Sequence, residues 1–366
     1  MASRQPAETQ PQTLRMKRVS ALLTASICLL LSVGVLLLFS PPQFNALLVA
    51  TLHAARRPTT SATSDPYGST TPSPYPSSTP LPGVLPTPVG SISCEPEPSA
   101  PNDYQNCVYN GPNDTGLIFY LFIPQGYSLQ KSYPLVLMLH GAGEHAYPQL
   151  SPEENRYDIL SQEYVAVWGL GYQDDGLSVQ NHWPCFVVVP QLVGYDRFVN
   201  IPARSGSYTL PTQPAEGLVL SLIITQLVQQ MYRNIDPTRR YITGISMGAY
   251  GVWDALERWP GYFAAAVPVA GAGDPSQAGV LVSTAIWDFH SDNDPDTPLS
   301  GSLDMLRAIS AKGGHPCFTL VDAPGHDIWP QVYGLRFKSS APLYSWLFAQ
   351  KLGTSPASPS CPVYQG

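Results

Sequence analysis

Short apolar runs alternate with longer amphipathic stretches between residues 102 and 353. The runs predicted as strands are residues 117–123, 134–139, 185–189, 240–243, 264–269, 285–289 and 317–321. The stretches predicted as helices, by the spacing of their apolar positions, are residues 216–231, 248–257, 302–312 and 342–351. Runs rich in Val, Ile and Leu with helices between them are typical of a mostly parallel sheet covered on both faces. The pattern therefore predicts an α/β fold.

A separate apolar segment, residues 19–39, carries no charged side chain. As a helix it would be about 31 Å long, enough to cross the hydrocarbon core of a membrane. Arg15, Lys17 and Arg18 precede it, which favours an N-terminus in the cytoplasm. We expect residues 1–57 to form a retained signal anchor, with a cleaved signal peptide as the alternative. Either one places the rest of the chain outside the cytoplasm, anchored to the membrane or secreted.

Residues 58–101 are dominated by Pro, Ser and Thr. Such a segment lacks the apolar side chains and backbone donors that a packed core requires, so it is expected to be an extended spacer. The predicted folded body is residues 102–353, followed by a short tail, residues 354–366. A disordered linker between a membrane segment and a folded body is the resulting domain plan.

Composition narrows the classes of partner. The chain of 366 residues is 44% hydrophobic, so it can build a sizeable core, and its formal net charge is −7. Much of the basic charge lies in residues 1–57, which leaves the body more acidic than the whole chain. An acidic body repels phosphate backbones, and no nucleic-acid partner is expected.

The cysteines outside the apolar segment are Cys94, Cys107, Cys185, Cys317 and Cys361. Their odd number leaves at least one thiol unpaired or paired between chains. A disulfide that clamps the two ends of the body is expected, although the sequence leaves the connectivity open. Their spacing matches no zinc site, and no metal is expected.

The chemistry of the chain lies at the ends of predicted strands. Residues 244–248, Gly-Ile-Ser-Met-Gly, follow the strand 240–243 and precede a helix. A Gly-x-Ser-x-Gly turn of this kind lifts the serine hydroxyl above the sheet at the amino end of the helix. Ser246 is therefore the candidate nucleophile, against the alternative of an ordinary turn.

Residues 139–144, Leu-His-Gly-Ala-Gly-Glu, follow the strand 134–139. A tetrahedral acyl intermediate needs two N–H donors for its oxyanion. The expected oxyanion hole is formed by the backbone N–H groups of Ala142 and Met247, with Gly141 or Gly143 as alternatives to Ala142.

An acid and a base are expected after the last two predicted strands. The candidate acids are Asp288, Asp292, Asp294 and Asp296. Asp294 is preferred because it lies in the loop after the strand, with Asp292 second. His326, on a Pro-Gly loop after the strand 317–321, is the candidate base. The order serine, aspartate, histidine is that of α/β-hydrolases, and a serine hydrolase without metal or organic cofactor follows.

At this point the chain resembles exported α/β-hydrolase esterases related to feruloyl esterases and polyhydroxybutyrate depolymerases, and especially the bacterial group labelled predicted peptidases. The resemblance runs from about residue 127 to 352. It rests on His-Gly-Ala-Gly-Glu at 140–144, Ile-Asp-Pro at 235–237 and Gly-His-Asp-Ile-Trp at 325–329. The resemblance implies an α/β-hydrolase fold with Ser246, Asp294 and His326 in the family's triad positions. Ala249 and Ser291 depart from it, since glycine is usual at both.

Substrate contacts are less specific in the sequence. His140, Glu144, Trp183 and Trp329 are weak candidates, and loop anchoring is the favoured role for the first two. Aromatic residues are dense across 147–183 and form either a lid or platform or part of the core.

The expected substrate is a carboxylic ester of feruloyl, acetyl or polyester type, from a cell wall or a polymer. The alternatives are a serine peptidase of the same fold and an inactive surface binding protein.

Overall fold

The computed structural model describes residues 83–95, 103–170, 179–202, 204–334 and 341–354. All of them belong to one compact unit, Tyr67–Gly366. The apolar segment 19–39, the linker up to residue 82 and the tail from residue 355 lie outside the described residues. Within the described ranges, no helix is both long and apolar enough to cross a membrane.

The described strands form one sheet. They are β1 (Ser91–Glu95), β2 (Gln105–Asn110), β3 (Gly116–Phe122), β4 (Tyr133–Leu139), β5 (Phe186–Gln191), β6 (Ile235–Ile245), β7 (Ala265–Val269), β8 (Ala285–Ser291) and β9 (Cys317–Val321). Their order across the sheet is β1-β2-β3-β5-β4-β6-β7-β8-β9. The pairs from β5 to β9 are parallel, whereas β1, β2 and β3 add to the β5 edge in antiparallel fashion. The predicted mostly parallel α/β sheet is confirmed.

Helices cover both faces of this sheet. They are α1 (Pro152–Leu160), α2 (Glu163–Ala166), α3 (Val179–His182), α4 (Glu216–Met231), α5 (Met247–Arg258), α6 (Leu299–Ala311), α7 (Trp329–Tyr333) and α8 (Ala341–Ala349). Successive strand residues point to opposite faces. Val136 and Met138 accordingly pack with α2, α7 and α8 in one apolar cluster, while Leu135 and Leu137 pack with α4, α5 and α6 in another. Two covered faces explain why β4 is buried along its whole length.

The folded part begins earlier than the sequence predicted. β1 lies inside the segment expected to be a spacer, and it pairs with β2 in a register that sets Cys94 opposite Cys107. Upstream of β1, the Trp259 indole N–H donates to the Val84 carbonyl at 3.0 Å. β1 has no run of apolar residues and only alternate positions are partly buried. An edge strand of this type is stabilised by its partner strand, which the hydrophobic pattern does not reveal.

The cysteine pairing differs from the expected clamp. Cys94 and Cys107, which are 13 residues apart, form a disulfide with each other. Cys317 is also disulfide-bonded. Cys185 is a free, buried thiol. The disulfide at Cys94 therefore joins two neighbouring strands rather than the two ends of the body.

Candidate active site

The loops that carry the predicted site leave the same edge of the sheet. In the parallel register, Leu139 at the end of β4 lies opposite Gly244 in β6. Ser291 at the end of β8 lies opposite Val321 at the end of β9. Ligands of open α/β sheets bind at the carboxyl ends of parallel strands. The loops after β4, β6, β8 and β9 thus surround one candidate site.

Ser246 occupies a sharp turn between β6 and α5. Its backbone has φ 49° and ψ −119°, a conformation that residues with a Cβ rarely adopt. Its N–H donates to the Val269 carbonyl at 2.9 Å, which fixes the turn against β7. Strain of this type at a non-glycine residue is common at functional sites. The turn presents the serine side chain at the amino end of α5.

Close approach of backbones explains the glycines around this serine. A Cβ on Gly248 would lie 2.2 Å from the Leu139 carbonyl oxygen, and a Cβ on Gly244 would lie 2.7 Å from Gly248. Only hydrogen fits at either position. The first turn of α5 therefore packs directly on the end of β4, where the loop containing Ala142 begins.

His326 bridges the serine and an aspartate. Its Nδ1 lies 2.7 Å from Asp294 Oδ2, and its Nε2 lies 2.8 Å from Ser246 Oγ. An ionised carboxylate only accepts hydrogen bonds, so the ring proton is on Nδ1. Nε2 then accepts from the Ser246 hydroxyl. This tautomer is the one that a general base for serine requires.

The Asp294 carboxylate is buried and strongly hydrogen-bonded. Its side chain has no exposed surface. The backbone N–H groups of Asp296 and Thr297 donate to Oδ1, each at 2.8 Å, and the Thr297 hydroxyl donates to Oδ2 at 2.7 Å. Burial alone would raise the pKa of Asp294, but hydrogen bonds from His290, His326 and Thr297 outweigh it and lower the pKa below its ordinary value. Asp294 is therefore ionised at neutral pH.

The other candidate acids lie elsewhere. Asp292 is exposed. Asp296 forms an ion pair with Arg204 at 2.8 Å. Asp288 is fully buried within β8. Among the four acids, Asp294 is the one that the structure places in a hydrogen bond with His326.

The loop that carries His326 is held by the loop that carries Asp294. The Ser291 hydroxyl donates to the Gly325 carbonyl at 2.6 Å, and the Gly325 N–H donates to Asn293 Oδ1 at 2.8 Å. Both polar groups of the residue before His326 are thereby fixed. Asn293 was not predicted from the sequence, and Ser291 was noted only as a departure from the usual glycine. The signal in the sequence was the presence of two polar residues, Ser291 and Asn293, at the end of a predicted strand.

His140 is not placed to contact a substrate. It is fully buried, and the Leu192 N–H donates to its Nε2 at 3.0 Å. Its Nδ1 therefore carries the proton and donates to the Gly141 carbonyl at 2.6 Å. Burial and the neighbouring His145 lower the pKa of His140 to about 3, so the ring is neutral. The expected substrate contact is wrong for His140, because both ring nitrogens are used inside the protein.

Glu144 is also buried, with 7% of its surface exposed. Its carboxylate faces the Tyr164 hydroxyl and lies beneath Gly141, where a Cβ would come 3.0 Å from Oε2. The expected substrate contact is therefore wrong for Glu144, because its carboxylate packs against the loop that contains Gly141.

The two tryptophan candidates, Trp183 and Trp329, lie at different distances from the candidate site. Trp183 precedes β5 and stacks on Phe348 of α8, with ring centroids 5.7 Å apart. β5 is parallel to β4, so its amino end lies at the opposite edge of the sheet, about 20 Å from its carboxyl end. The expected substrate contact is therefore wrong for Trp183. Trp329 lies edge-on to His326, with ring centroids 5.2 Å apart.

His145 is a further site residue that the sequence analysis missed. Its Nδ1 lies 2.9 Å from the Ala142 carbonyl and its Nε2 lies 2.7 Å from the Asp196 carbonyl. The imidazole thus links the loop after β4 to the loop after β5. Its hydrogen bond to the Ala142 carbonyl holds the residue whose N–H is predicted to donate to the oxyanion.

Comparisons with known proteins agree with this architecture. No family model matches the chain. The chain is 28% identical over 164 residues to poly(3-hydroxyalkanoate) depolymerase C of Paucimonas lemoignei. The matched residues are 44% of this chain and 33% of the depolymerase. The structure matches a thermostable esterase with a TM-score of 0.54 and 28% identity, over 69% of this chain and 64% of that one. The chain thus spans about a third of the depolymerase and less than two thirds of the esterase.

An acylaminoacyl peptidase of Pyrococcus horikoshii has a TM-score of 0.50 and 13% identity, over 73% of this chain and 43% of that one. At this identity the likeness shows a shared fold alone. The depolymerase and the esterase agree with the family resemblance expected from the motifs. The sheet order, the turn at Ser246 and these two relatives together support an α/β-hydrolase esterase family.

Proposed function

We propose that the protein is a serine hydrolase of carboxylic esters that acts through an acyl-enzyme. The observation that carries the proposal is the bridging of Ser246 and Asp294 by His326, at 2.8 and 2.7 Å. A nucleophile, a base and an acid that orients the base are the parts that this chemistry requires.

In the first step, His326 Nε2 removes the Ser246 proton as Oγ attacks the ester carbonyl carbon. Asp294 then stabilises the imidazolium through the bond to Nδ1. The amino end of α5 favours the negative charge that develops at this place. The N–H of Met247 opens that helix, and the N–H of Ala142 lies on the neighbouring loop. These two groups are proposed to donate to the oxyanion.

In the second step, His326 protonates the leaving alcohol, and the acyl group stays on Ser246. Water then enters, gives a proton to His326 and attacks the acyl carbonyl, which releases the acid and restores the serine. No residue from outside the triad and oxyanion hole is required. Trp329, beside His326, offers an apolar surface where the alcohol departs.

Esters from polymers or cell walls, including polyester and feruloyl or acetyl esters, are the proposed substrates. The depolymerase and the esterase support this class. An extracytoplasmic location, anchored through residues 19–39 or secreted after cleavage, is proposed from the basic residues before that segment. The disulfide between Cys94 and Cys107 fits it, because such bonds persist in oxidising compartments.

The test compares initial rates of the purified full-length protein and its Ser246→Ala variant. The substrates are a short p-nitrophenyl ester, methyl ferulate and a chromogenic peptide amide. Ester turnover that is lost in the variant, with little amide cleavage, is the expected result. Faster amide than ester cleavage would instead support a peptidase, and no turnover of any substrate would support a binding protein.

A further inference from the structure

A second histidine lies directly behind the proposed catalytic acid. His290, near the end of β8, has no exposed surface, and its Nε2 lies 3.5 Å from Asp294 Oδ2. The same oxygen accepts the hydrogen bond from His326 at 2.7 Å. One carboxylate oxygen is therefore shared by two imidazoles, of which one faces Ser246 and the other lies in the core.

The partners of His290 can accept a proton from each of its ring nitrogens. Nε2 lies 3.0 Å from the Thr297 carbonyl, which can only accept. Nδ1 lies 2.8 Å from the Ser302 hydroxyl, and that hydroxyl donates its own proton to the Gly271 carbonyl at 3.4 Å. A hydroxyl that donates elsewhere accepts from Nδ1. An imidazole that donates from both nitrogens is a cation.

The charged groups around His290 favour this cation. Asp288, two residues earlier in β8, is fully buried, and its carboxylate oxygens have no hydrogen-bond partner among the described residues. Burial raises the pKa of Asp288 to about 7, while the charge of His290 lowers it. From α5, Tyr250 faces Asp294, and burial together with that carboxylate raises its pKa well above the ordinary value, so it is neutral.

The pKa of His290 reflects the same surroundings. Burial lowers it, but the bond to Asp294, the charge of Asp288 and the bond to the Thr297 carbonyl outweigh burial and raise it overall.

We propose that His290 is a positioning residue, held as an imidazolium, which aligns Asp294 and weakens the hold of His326 on a proton. The inference rests on the proposed function, because it concerns the base of that mechanism. When Asp294 already neutralises one cation, it stabilises a second less well. His326 therefore loses its proton at a lower pH than it would beside Asp294 alone, and Ser246 stays reactive in more acidic solution.

The test follows the rate at which a fluorophosphonate labels Ser246 as a function of pH, in the full-length protein and in His290→Gln. Glutamine keeps an N–H donor but carries no charge. The pH at which labelling falls to half is expected to rise by about one unit, the order expected for removing one nearby charge from a partly buried site.

Asp292→Asn is the matched control, since it removes an exposed charge from the same loop. Its half-labelling pH is expected to match that of the unchanged protein. A half-labelling pH in His290→Gln that does not move, or that moves downward, overturns the inference. Absence of labelling in the unchanged protein at every pH would instead contradict the proposed function.

A second measurement covers the case in which His290→Gln does not fold. Nitrogen NMR of the full-length protein with labelled histidines reports the protonation of each ring. One buried imidazole protonated on both nitrogens at pH 6.5 is the expected result, assigned to His290 by its loss in His290→Asn. A neutral His290 at this pH overturns the inference.

Discussion

Hydrogen-bond partners decide what each histidine of the site can do. His326 and His140 both follow a strand and adjoin a glycine in the sequence. His326 faces a carboxylate and a serine hydroxyl, whereas His140 accepts from the Leu192 N–H, 52 residues away along the chain. This partner comes from the neighbouring strand and is invisible in the local sequence. The sequence could therefore place both imidazoles at strand ends and name His326 as the candidate base, but it could not show which partners hold His140.

The neutral state of His140 predicts a pH dependence of stability. Its pKa is about 3 in the folded protein and about 6.5 unfolded, so the unfolded chain binds more protons between these values. The free energy of unfolding should fall by about 1 kcal/mol per pH unit from pH 6 to pH 4 through this group. Urea denaturation at several pH values should show a shallower dependence in His140→Gln. His315→Gln, at an exposed position, should keep the original dependence, and an unchanged slope in His140→Gln would contradict the assignment.

The Ser291 hydroxyl predicts a loss of activity through the position of His326. Ser291→Ala removes the donor to the Gly325 carbonyl, and we expect kcat to fall about tenfold with little change in KM, since substrate is not contacted. Loss of one buried hydrogen bond should lower the free energy of unfolding by about 1 kcal/mol. Steady-state kinetics and urea denaturation measure both quantities. Ser300→Ala, at an exposed position of α6, is the control, and a kcat equal to that of the control would refute the role.

The element that positions the nucleophile is the junction of β6 and α5. Its glycines were predicted from the motif, and so was the serine at a strained turn. The structure adds the reason: α5 packs on the end of β4 with no room for a Cβ at Gly248. The bounds of β9 and α4 agree with the prediction. β6 begins at Ile235, earlier than predicted, since Asp236 and Pro237 break the apolar pattern but stay in the strand.

Gly248→Ala tests the close packing at this junction. The added Cβ would lie 2.2 Å from the Leu139 carbonyl, so the helix or the strand end must shift. We expect a loss of about 3 kcal/mol in the free energy of unfolding and a loss of most ester turnover. Gly279→Ala is the matched control, because nothing lies within 4 Å of its Cβ. Equal stability of the two variants, measured by thermal and urea denaturation, would contradict the packing argument.

In the molecule as a whole, the antiparallel strands β1 to β3 extend the parallel sheet that carries the candidate site. β1 lies five strand spacings from β6, about 24 Å, so it contributes to stability far from Ser246. The sequence predicted the parallel part well, because buried apolar runs mark it. It missed β1 and β2, whose pairing depends on a disulfide and on a neighbouring strand. The membrane segment and the tail lie outside the described residues and remain predictions.

Removal of the disulfide should affect stability and leave the chemistry intact. Cys94 and Cys107 are 13 residues apart, and a loop of this size corresponds to about 3 kcal/mol of stabilisation. A variant with Cys94→Ala and Cys107→Ala should have a free energy of unfolding that is lower by that amount, measured by urea denaturation. Its kcat at 25 °C should equal that of the unchanged protein, since β1 is distant from the site. A matched loss of kcat under conditions where the variant is folded would contradict this separation.

The proposed ester hydrolysis requires Ser246 to be an activated nucleophile. Mass spectrometry after treatment of the full-length protein with a fluorophosphonate tests it most directly. If Ser246 is activated by His326, one covalent adduct should form, located on Ser246. This adduct should be lost in Ser246→Ala and in His326→Ala. The absence of an adduct in the folded, unchanged protein, or an adduct on another residue that persists in both variants, would contradict it.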